Sequence, residues 1–343
     1  MWKLISLKLQ EKEMRFSLVI CTYKRPEAIN ALLSSIQEQN IYPDEILVID
    51  SSPDELTKNI LINHEYPRLT YYKVEEEHRG LTKQRNYGIQ KVAETSEIVC
   101  FLDDDIILTP AYFDHLIDTY DNFPDAIGGG GYIINEVAWQ KGTANAYDEF
   151  GYDGWVRKLG SRNKLRKRTG LLSDKPPGIM PVFSNGFSIG FLPPSGKTYG
   201  VEFFMGGVSS YRKDLFDKIK FSTYFQGYGL YEDMDFCLRA SKIGQLYVNT
   251  SAQLNHYHEE GGRPNRFNYG KMVIRNGWYV WRVKYPSPNH KARLKWHATA
   301  FLLTLVRIGN VVSTNRKKEA LTESLGRISG WWSLIYKKPK LEK

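Results

Sequence analysis

Cysteine is nearly absent. The 343 residues hold only Cys21, Cys100 and Cys237, each in or beside an apolar stretch and none in a C-x-x-C pair. Three such thiols exclude a disulfide framework and a cysteine zinc site, and read as buried groups in a reducing compartment. Long apolar runs are missing too. The best helix candidate, 294–312 (LKWHATAFLLTLVRIGNVV), carries Lys295 and Arg307, and so falls short of the roughly 20 clean apolar residues of a membrane span. The opening MWKLISLKLQEKEM is interrupted by Lys3, Lys8 and Glu11 and has no small-residue cleavage site after it. That excludes a secretory signal and fits a short amphipathic helix, with either Met1 or Met14 as the start. There are no repeats or low-complexity tracts.

What is present is unevenly distributed. Net charge is +9, but residues 263–343 alone carry 18 Lys/Arg against 3 Asp/Glu, while residues 1–262 sum to −6. A mildly acidic body with a strongly basic tail points to a polyanionic partner for the tail, either a membrane or a nucleic acid. The tail lacks a helix-turn-helix, RNA-recognition or zinc-finger signature, and the positive charge avoids the acidic strand ends, so the nucleic-acid reading is disfavoured. The tail's apolar residues form one helical face, Leu294, Ala298, Phe301, Leu305, Ile308 and Val312. An aromatic cluster, Trp331-Trp332-Ser333-Leu334-Ile335-Tyr336, precedes Lys337, Lys338 and Lys340. Trp and Tyr beside Lys is the composition of a membrane interface; the alternative is packing of these helices on the body, with the lysines solvated.

The first hundred residues alternate apolar runs with helical patterns. FSLVIC ends at Thr22-Tyr23-Lys24-Arg25. Pro26 and Glu27 then suit a helix first turn, and Ile29, Leu32, Leu33 and Ile36 share a face. EILVIDSS ends in Asp50, LTYYKV leads to Gly80, LTKQRNYGIQKVA is helical, and EIVCFLDDD ends in acids. Continuous apolar strands separated by helices predict an α/β fold with a mostly parallel sheet covered on both faces. Ligands bind beyond the carboxyl ends of such strands, which is where Thr22, Asp50 and Asp103-Asp104-Asp105 fall. Residues 125–200, including Gly128–Gly131 and the basic WVRKLGSRNKLRKR, read as strands with long loops over the site. YEDMDFCLRASKIG reads as a helix capped by Gly244, and LYVNTSAQLNHYH as a strand.

Three constellations carry chemistry. Asp103-Asp104-Asp105 crowds three carboxylates, which a divalent cation compensates, completing its shell with substrate phosphates; acids are also common in a helix first turn. Glu232-Asp233 offers a general base within reach of an acceptor, or a helix N-terminal pair, and Asp235 and Arg239 are spaced as a surface ion pair. His256 and His258, two apart on a strand, can point to one site.

In this order the segments resemble family 2 of the glycosyltransferases, which have the GT-A fold. The resemblance is carried by VICTYKRPEAINALLSSI, ILVIDSSPDE, GLTKQRNYGI, CFLDDDIIL and MGGVSSYRKDLF, then YGLYEDMDFCLRASKIG and a strand ending in His256. It spans 14–262, leaving 1–13 as an N-terminal extension and 263–343 as a basic, aromatic-rich helical C-terminal region. It implies that Thr22, Tyr23, Asp50 and Arg85 hold the nucleotide base and that Asp103 contacts the ribose, with Arg25 and Asp104 also on the donor side. It implies Asp105 and His256 as holders of Mn²⁺ or Mg²⁺, Asp233 as catalytic base, and Gly207 and Glu232 on the acceptor side. The function implied is inverting transfer from a nucleoside diphosphate sugar, with UDP the default, to a hydroxyl of a glycan or lipid-linked glycan in surface polysaccharide synthesis. The implied place is the cytoplasmic, inner face of the membrane, where the protein is peripheral. Oligomeric state is not legible. A non-catalytic glycan-binding module is the alternative, against which the intact Asp103, Asp105 and Asp233 speak. A nucleotidylyltransferase would carry a Gly-rich phosphate loop where CTYKRPE stands.

Overall fold

The computed structural model describes residues 14–258 and 264–342; the N-terminal extension and the Gly261-Gly262 boundary lie outside the described residues. The expected alternation is present as β1 (Phe16–Thr22), α1 (Pro26–Gln37), β2 (Glu45–Asp50), α2 (Leu56–Ile62), β3 (Leu69–Lys73), α3 (Leu81–Ile89) and β4 (Ile98–Asp103). Next come β5 (Ile106–Leu108), α4 (Tyr112–Asn122), β6 (Ala126–Ile133), β7 (Gln140–Lys141), β8 (Glu149–Tyr152), β9 (Trp155–Lys158) and α5 (Ser161–Arg168). β10 (Thr198–Val201), β11 (Val208–Arg212), α6 (Glu232–Ala240) and β12 (Gln245–His256) complete the catalytic body, and α7 (Arg266–Lys284), α8 (His290–Ser313) and α9 (Lys317–Tyr336) follow.

Among the described residues the main sheet runs β10-β12-β6-β11-β4-β1-β2-β3, with β5 on β12; β7, β8 and β9 form a separate small sheet. The half built from β1 to β4 is parallel, as their unbroken apolar runs require for burial on both faces. Beyond β4 the sheet is mixed, because β11 enters antiparallel to both β4 and β6. Register aligns the strand ends: Thr22 lies opposite Asp50, and Cys21 opposite Asp103. The polar residues after each apolar run therefore meet along one edge. On α1 the buried face is Ile29, Leu32, Leu33 and Ile36, the face that its spacing predicts.

Packing decides two glycine-marked places, and at the second an expectation fails. The Gly128–Gly131 run is a core strand, β6. A Cβ at Gly128 would lie 2.8 Å from Tyr211 Cδ1, at Gly130 2.8 Å from Phe204 Cγ, and at Gly131 2.6 Å from Tyr112 Cε2. Large rings from elsewhere fill the space that side chains on β6 would take. Helix α6 ends at Ala240, capped by Ser241, and not at Gly244. Gly244 instead allows close approach, since a Cβ there would sit 2.6 Å from Ile127 Cγ2.

The three C-terminal helices share a core with the body. Trp278, Tyr279, Trp281, Trp296 and Leu334 are buried in the same cluster as Phe225 and Met234, and Trp281 Nε1 donates to Val182 O at 2.7 Å. Helices α7 and α9 meet backbone to backbone. A Cβ at Gly270 would lie 2.1 Å from Glu323 O, and one at Gly326 2.0 Å from Phe267 O. Among the described residues nothing covers the outer face of α8: Leu294 is 72% and Val312 82% exposed, with Phe301, Leu305 and Ile308 exposed between them. Gly326→Val should therefore destabilise the protein by about 1–3 kcal/mol in urea denaturation through overpacking. Gly309→Ala, where nothing lies within 4 Å of the added carbon, should stabilise α8 by up to about 1 kcal/mol.

Candidate active site

The acids at the end of β4 have separate partners. Asp104 is buried and turns inward, accepting from Thr22 Oγ1 at 2.7 Å and from Arg25 Nη1 at 2.8 Å. Arg25 also reaches Asp105 Oδ2 at 3.3 Å. Thr22 and Asp104, expected on the donor side, are thus spent on each other and brace the turn that presents Asp103 and Asp105. Burial pushes the Asp104 carboxyl up to about 6, against the pull of Arg25 and Thr22. Asp50 is buried at the end of β2, where it accepts from Tyr71 Oη at 2.9 Å and from the Ser52 amide at 2.7 Å. Tyr23, next to Thr22 in sequence, is half-buried, with Lys24 Nζ 5.3 Å from its ring.

Arg85 lies beneath the floor of this edge. Its side chain is 2% exposed and joins three elements: Nη1 meets Glu232 Oε1 at 2.5 Å and Nη2 meets Asp103 Oδ1 at 3.4 Å. Expected to hold the base, it is placed to position the acids instead. Burial pushes the Glu232 carboxyl up to about 8, against the pull of Arg85. Two glycines let the acids close in. A Cβ at Gly207 would sit 2.0 Å from Asp103 Oδ2, and one at Gly206 2.7 Å from Glu232 Oε1. Asp233 opens the first turn of α6, half-buried. Its Oδ1 accepts the Met234 amide at 2.7 Å, and its Oδ2 the Gly206 amide at 3.3 Å. Burial raises its carboxyl above the ordinary range, against the Met234 amide, Arg85 and the Gly206 amide. Tyr231, two residues before it at the helix N-cap, has φ +70°, a left-handed conformation costly for a tyrosine. Asp235 is not a surface residue: it is 1% exposed, and Arg239 covers it at 2.6 Å.

His256 ends β12, and its Nε2 lies 3.3 Å from Asp105 Oδ1. The Tyr257 amide donates to Asp105 O at 2.9 Å, so strand pairing itself fixes this proximity. On the other side of the ring, His256 Nδ1 meets Glu136 Oε1 at 2.9 Å. His258 lies past the strand, at φ +47°, and reaches the same Glu136 oxygen at 3.0 Å. The two histidines converge through Glu136 and not by sharing a strand face. Burial disfavours the charged ring, but the Asp105 and Glu136 carboxylates prevail and raise His256 to about 9. One oxygen ligand and one imidazole nitrogen at 3.3 Å, with a second carboxylate behind the ring, form a donor set suited to a divalent cation. Glu136, His256 and His258 also bring one ligand atom each within 4.8 Å. Sequence reasoning missed Glu136, Gly206 and Gln84, whose amide ties Thr22 O to Ile49 O. Glu136→Gln should weaken Mn²⁺ binding by about 10- to 100-fold in calorimetry, because a carboxylate behind a ligating histidine sets its tautomer and basicity.

Known proteins place this arrangement. The family model for glycosyl transferase family 2 matches residues 17–219. A glucosyl-dolichyl phosphate glucuronosyltransferase of Haloferax volcanii is 29% identical over 133 residues, 37% of this chain and 41% of that protein. An uncharacterised glycosyltransferase of Bacillus subtilis, YwdF, is 30% identical over 104 residues, 30% of this chain and 37% of its own length. The chain thus spans about two-fifths of the curated relatives it matches. Among solved structures, the mannosyltransferase PcManGT of Pyrobaculum calidifontis, in complex with GDP-Man and Mn²⁺, superposes with a TM-score of 0.51 at 14% identity, over 95% of this chain and 88% of that one. GalNAc-T7 with UDP, GalNAc and Mn²⁺ gives 0.50 at 15% identity, over 94% and 57%. With strand-end carboxylates, a Glu-Asp helix and this curled sheet in one chain, the protein belongs to glycosyl transferase family 2 and has the GT-A fold.

Proposed function

We propose that the protein is an inverting transferase that moves a sugar from a nucleoside diphosphate donor, UDP by preference, to a hydroxyl of a glycan or lipid-linked glycan during surface polysaccharide synthesis. The observation that carries this reading is the buried guanidinium of Arg85, which links the donor-side Asp103 to Glu232, next to Asp233. The donor lies along the strand ends, with its base near Tyr23 and Asp50 and its ribose at Asp103. Asp105 and His256 would hold Mn²⁺ or Mg²⁺, which would supply charge neutralisation for the departing diphosphate. Asp233 accepts the proton of the acceptor hydroxyl as that oxygen attacks the anomeric carbon. The bond to the diphosphate breaks as the new glycosidic bond forms, through an oxocarbenium-like transition state. One displacement needs one base, and Asp233, raised by burial and held by two amides, is a stronger and better oriented base than a solvated aspartate.

The acceptor's presentation bears on the C-terminal helices. No helix of the described residues is long and apolar enough to cross a membrane. The exposed apolar face of α8 continues on α9 with Trp332, Ile335 and Tyr336. A neighbouring cavity of about 540 Å³ is walled by Trp278, Trp331 and Trp332 with Arg282, Arg293 and Lys338. Rings beside cations at an apolar rim support peripheral attachment to an anionic membrane, on the inner, cytoplasmic face, where each basic residue contributes on the order of 1 kcal/mol. The Haloferax relative, by its name, handles a sugar on a lipid phosphate, which favours a lipid-linked acceptor here.

Three outcomes test this function. Asp233→Asn should keep metal-dependent binding of the nucleoside diphosphate and lose roughly 10²-fold or more in kcat; normal turnover places the base elsewhere. Asp105→Ala should abolish the Mn²⁺ dependence of diphosphate binding in calorimetry, with the circular dichroism spectrum unchanged. The full chain should float with anionic liposomes at low salt and detach as salt screens the lysines; a protein that ignores such liposomes contradicts the attachment.

A further inference from the structure

Next to the start of α6 is a cavity of about 390 Å³ between α5, the 184–191 segment and the C-terminal helices. Among the described residues its wall carries Arg162, Arg166 and Arg327 and no carboxylate. Arg166 decides what that means. It is 8% exposed, and its guanidinium donates only to neutral acceptors: Leu171 O at 3.1 Å, Asn163 Oδ1 at 3.3 Å and Ser184 Oγ at 3.1 Å. Among the described residues it has no anionic partner, and burial, then the charge of Arg162, pulls it below the ordinary arginine value. Arg327 is paired with Glu323, but that carboxylate is shared with Arg307, so this corner also keeps an excess positive charge. A buried cation without a counter-charge is costly, and three guanidinium groups around one void match the oxygens of a phosphate.

The rest of the wall is apolar, with Phe187, Phe191, Ile274, Trp296 and Leu303. Helix α8 gives Trp296 and Leu303 to the cavity while its opposite face, Leu294 to Val312, is exposed. Tyr231 is also in the wall, and it directly precedes Glu232 and Asp233. The cavity therefore joins Tyr231, two residues before the proposed base Asp233, to the apolar outer helix.

We propose that this cavity is an acceptor subsite for a phosphate or diphosphate ester with an apolar tail, its phosphate held by Arg162, Arg166 and Arg327 and its tail lying along the aromatic wall. The proposal rests on the transferase reading for its place next to Asp233. It adds that the acceptor is recognised by an anionic linker and not by its sugar alone.

The test uses the full chain in EDTA, so that no metal recruits phosphate to the donor site, with n-octyl phosphate, inorganic phosphate and n-octanol as probes in calorimetry. Octyl phosphate should bind at one site and at least about tenfold more tightly than either half-probe. Arg166→Gln and the exposed Arg162→Gln should each weaken it by about tenfold or more. Arg162→Gln keeps the test decisive if loss of the buried Arg166 impairs folding. Octyl phosphate binding no tighter than inorganic phosphate, or binding indifferent to Arg162→Gln, overturns the proposal; octanol binding equally well assigns the cavity to a plain apolar ligand and overturns it too. Metal-dependent donor hydrolysis by the unmutated protein is measured separately, without acceptor. Its absence in the unmutated protein counts against the transferase reading, while the phosphate site is decided by the binding data.

Discussion

The buried guanidinium of Arg85 is the constraint on which the site depends. It comes from α3, and its two charged partners come from the end of β4 and the start of α6. A residue with 2% exposure cannot lose one partner cheaply, because the remaining charge would be left in a low-dielectric interior. Asp103 at the end of β4 and Glu232 at the start of α6 are therefore held in one fixed relation. Phe101 and Phe221 lie 5.6 Å and 5.3 Å from the guanidinium carbon and wall it in. Gly206 and Gly207 are the counterpart of this crowding, since any side chain there would occupy the space that Arg85, Glu232 and Asp103 fill.

Around this centre the other contacts form successive braces. Thr22 and Arg25 hold Asp104, which fixes the turn on which Asp103 and Asp105 sit. Pairing of β12 with β5 brings His256 to Asp105, and Glu136 secures the far side of the ring. The C-terminal helices belong to the same body: Asn276 of α7 donates to Leu230 O at 2.9 Å, just ahead of the strained Tyr231. What the outer helices contact can thereby bear on the turn that carries Glu232 and Asp233.

The parts legible in the sequence are those whose signal is local. The runs ending at Thr22, Asp50 and Asp103 are continuous and apolar, so their strands, their parallel pairing and the acid-lined edge follow from pattern alone. The helix at Pro26 announces itself by its first turn and by Ile29, Leu32, Leu33 and Ile36. What could not be read depends on distant partners. Gly128–Gly131 has no apolar signal, and its burial is supplied by Tyr112, Phe204 and Tyr211. Glu136 stands in no motif, 120 residues from the histidine it supports. Arg166 sits in a run of basic residues with no local mark to single it out, yet it alone of the basic residues of that run is buried.

The central claim is that one base, fixed beside one donor, performs a single displacement. Following the anomeric proton by NMR through the first turnovers, with a donor of known configuration, tests it most directly. The account predicts that an α-linked nucleotide sugar yields only the β-linked product, with the inverted coupling constant present from the earliest spectrum. A product that retains the donor's configuration would contradict it.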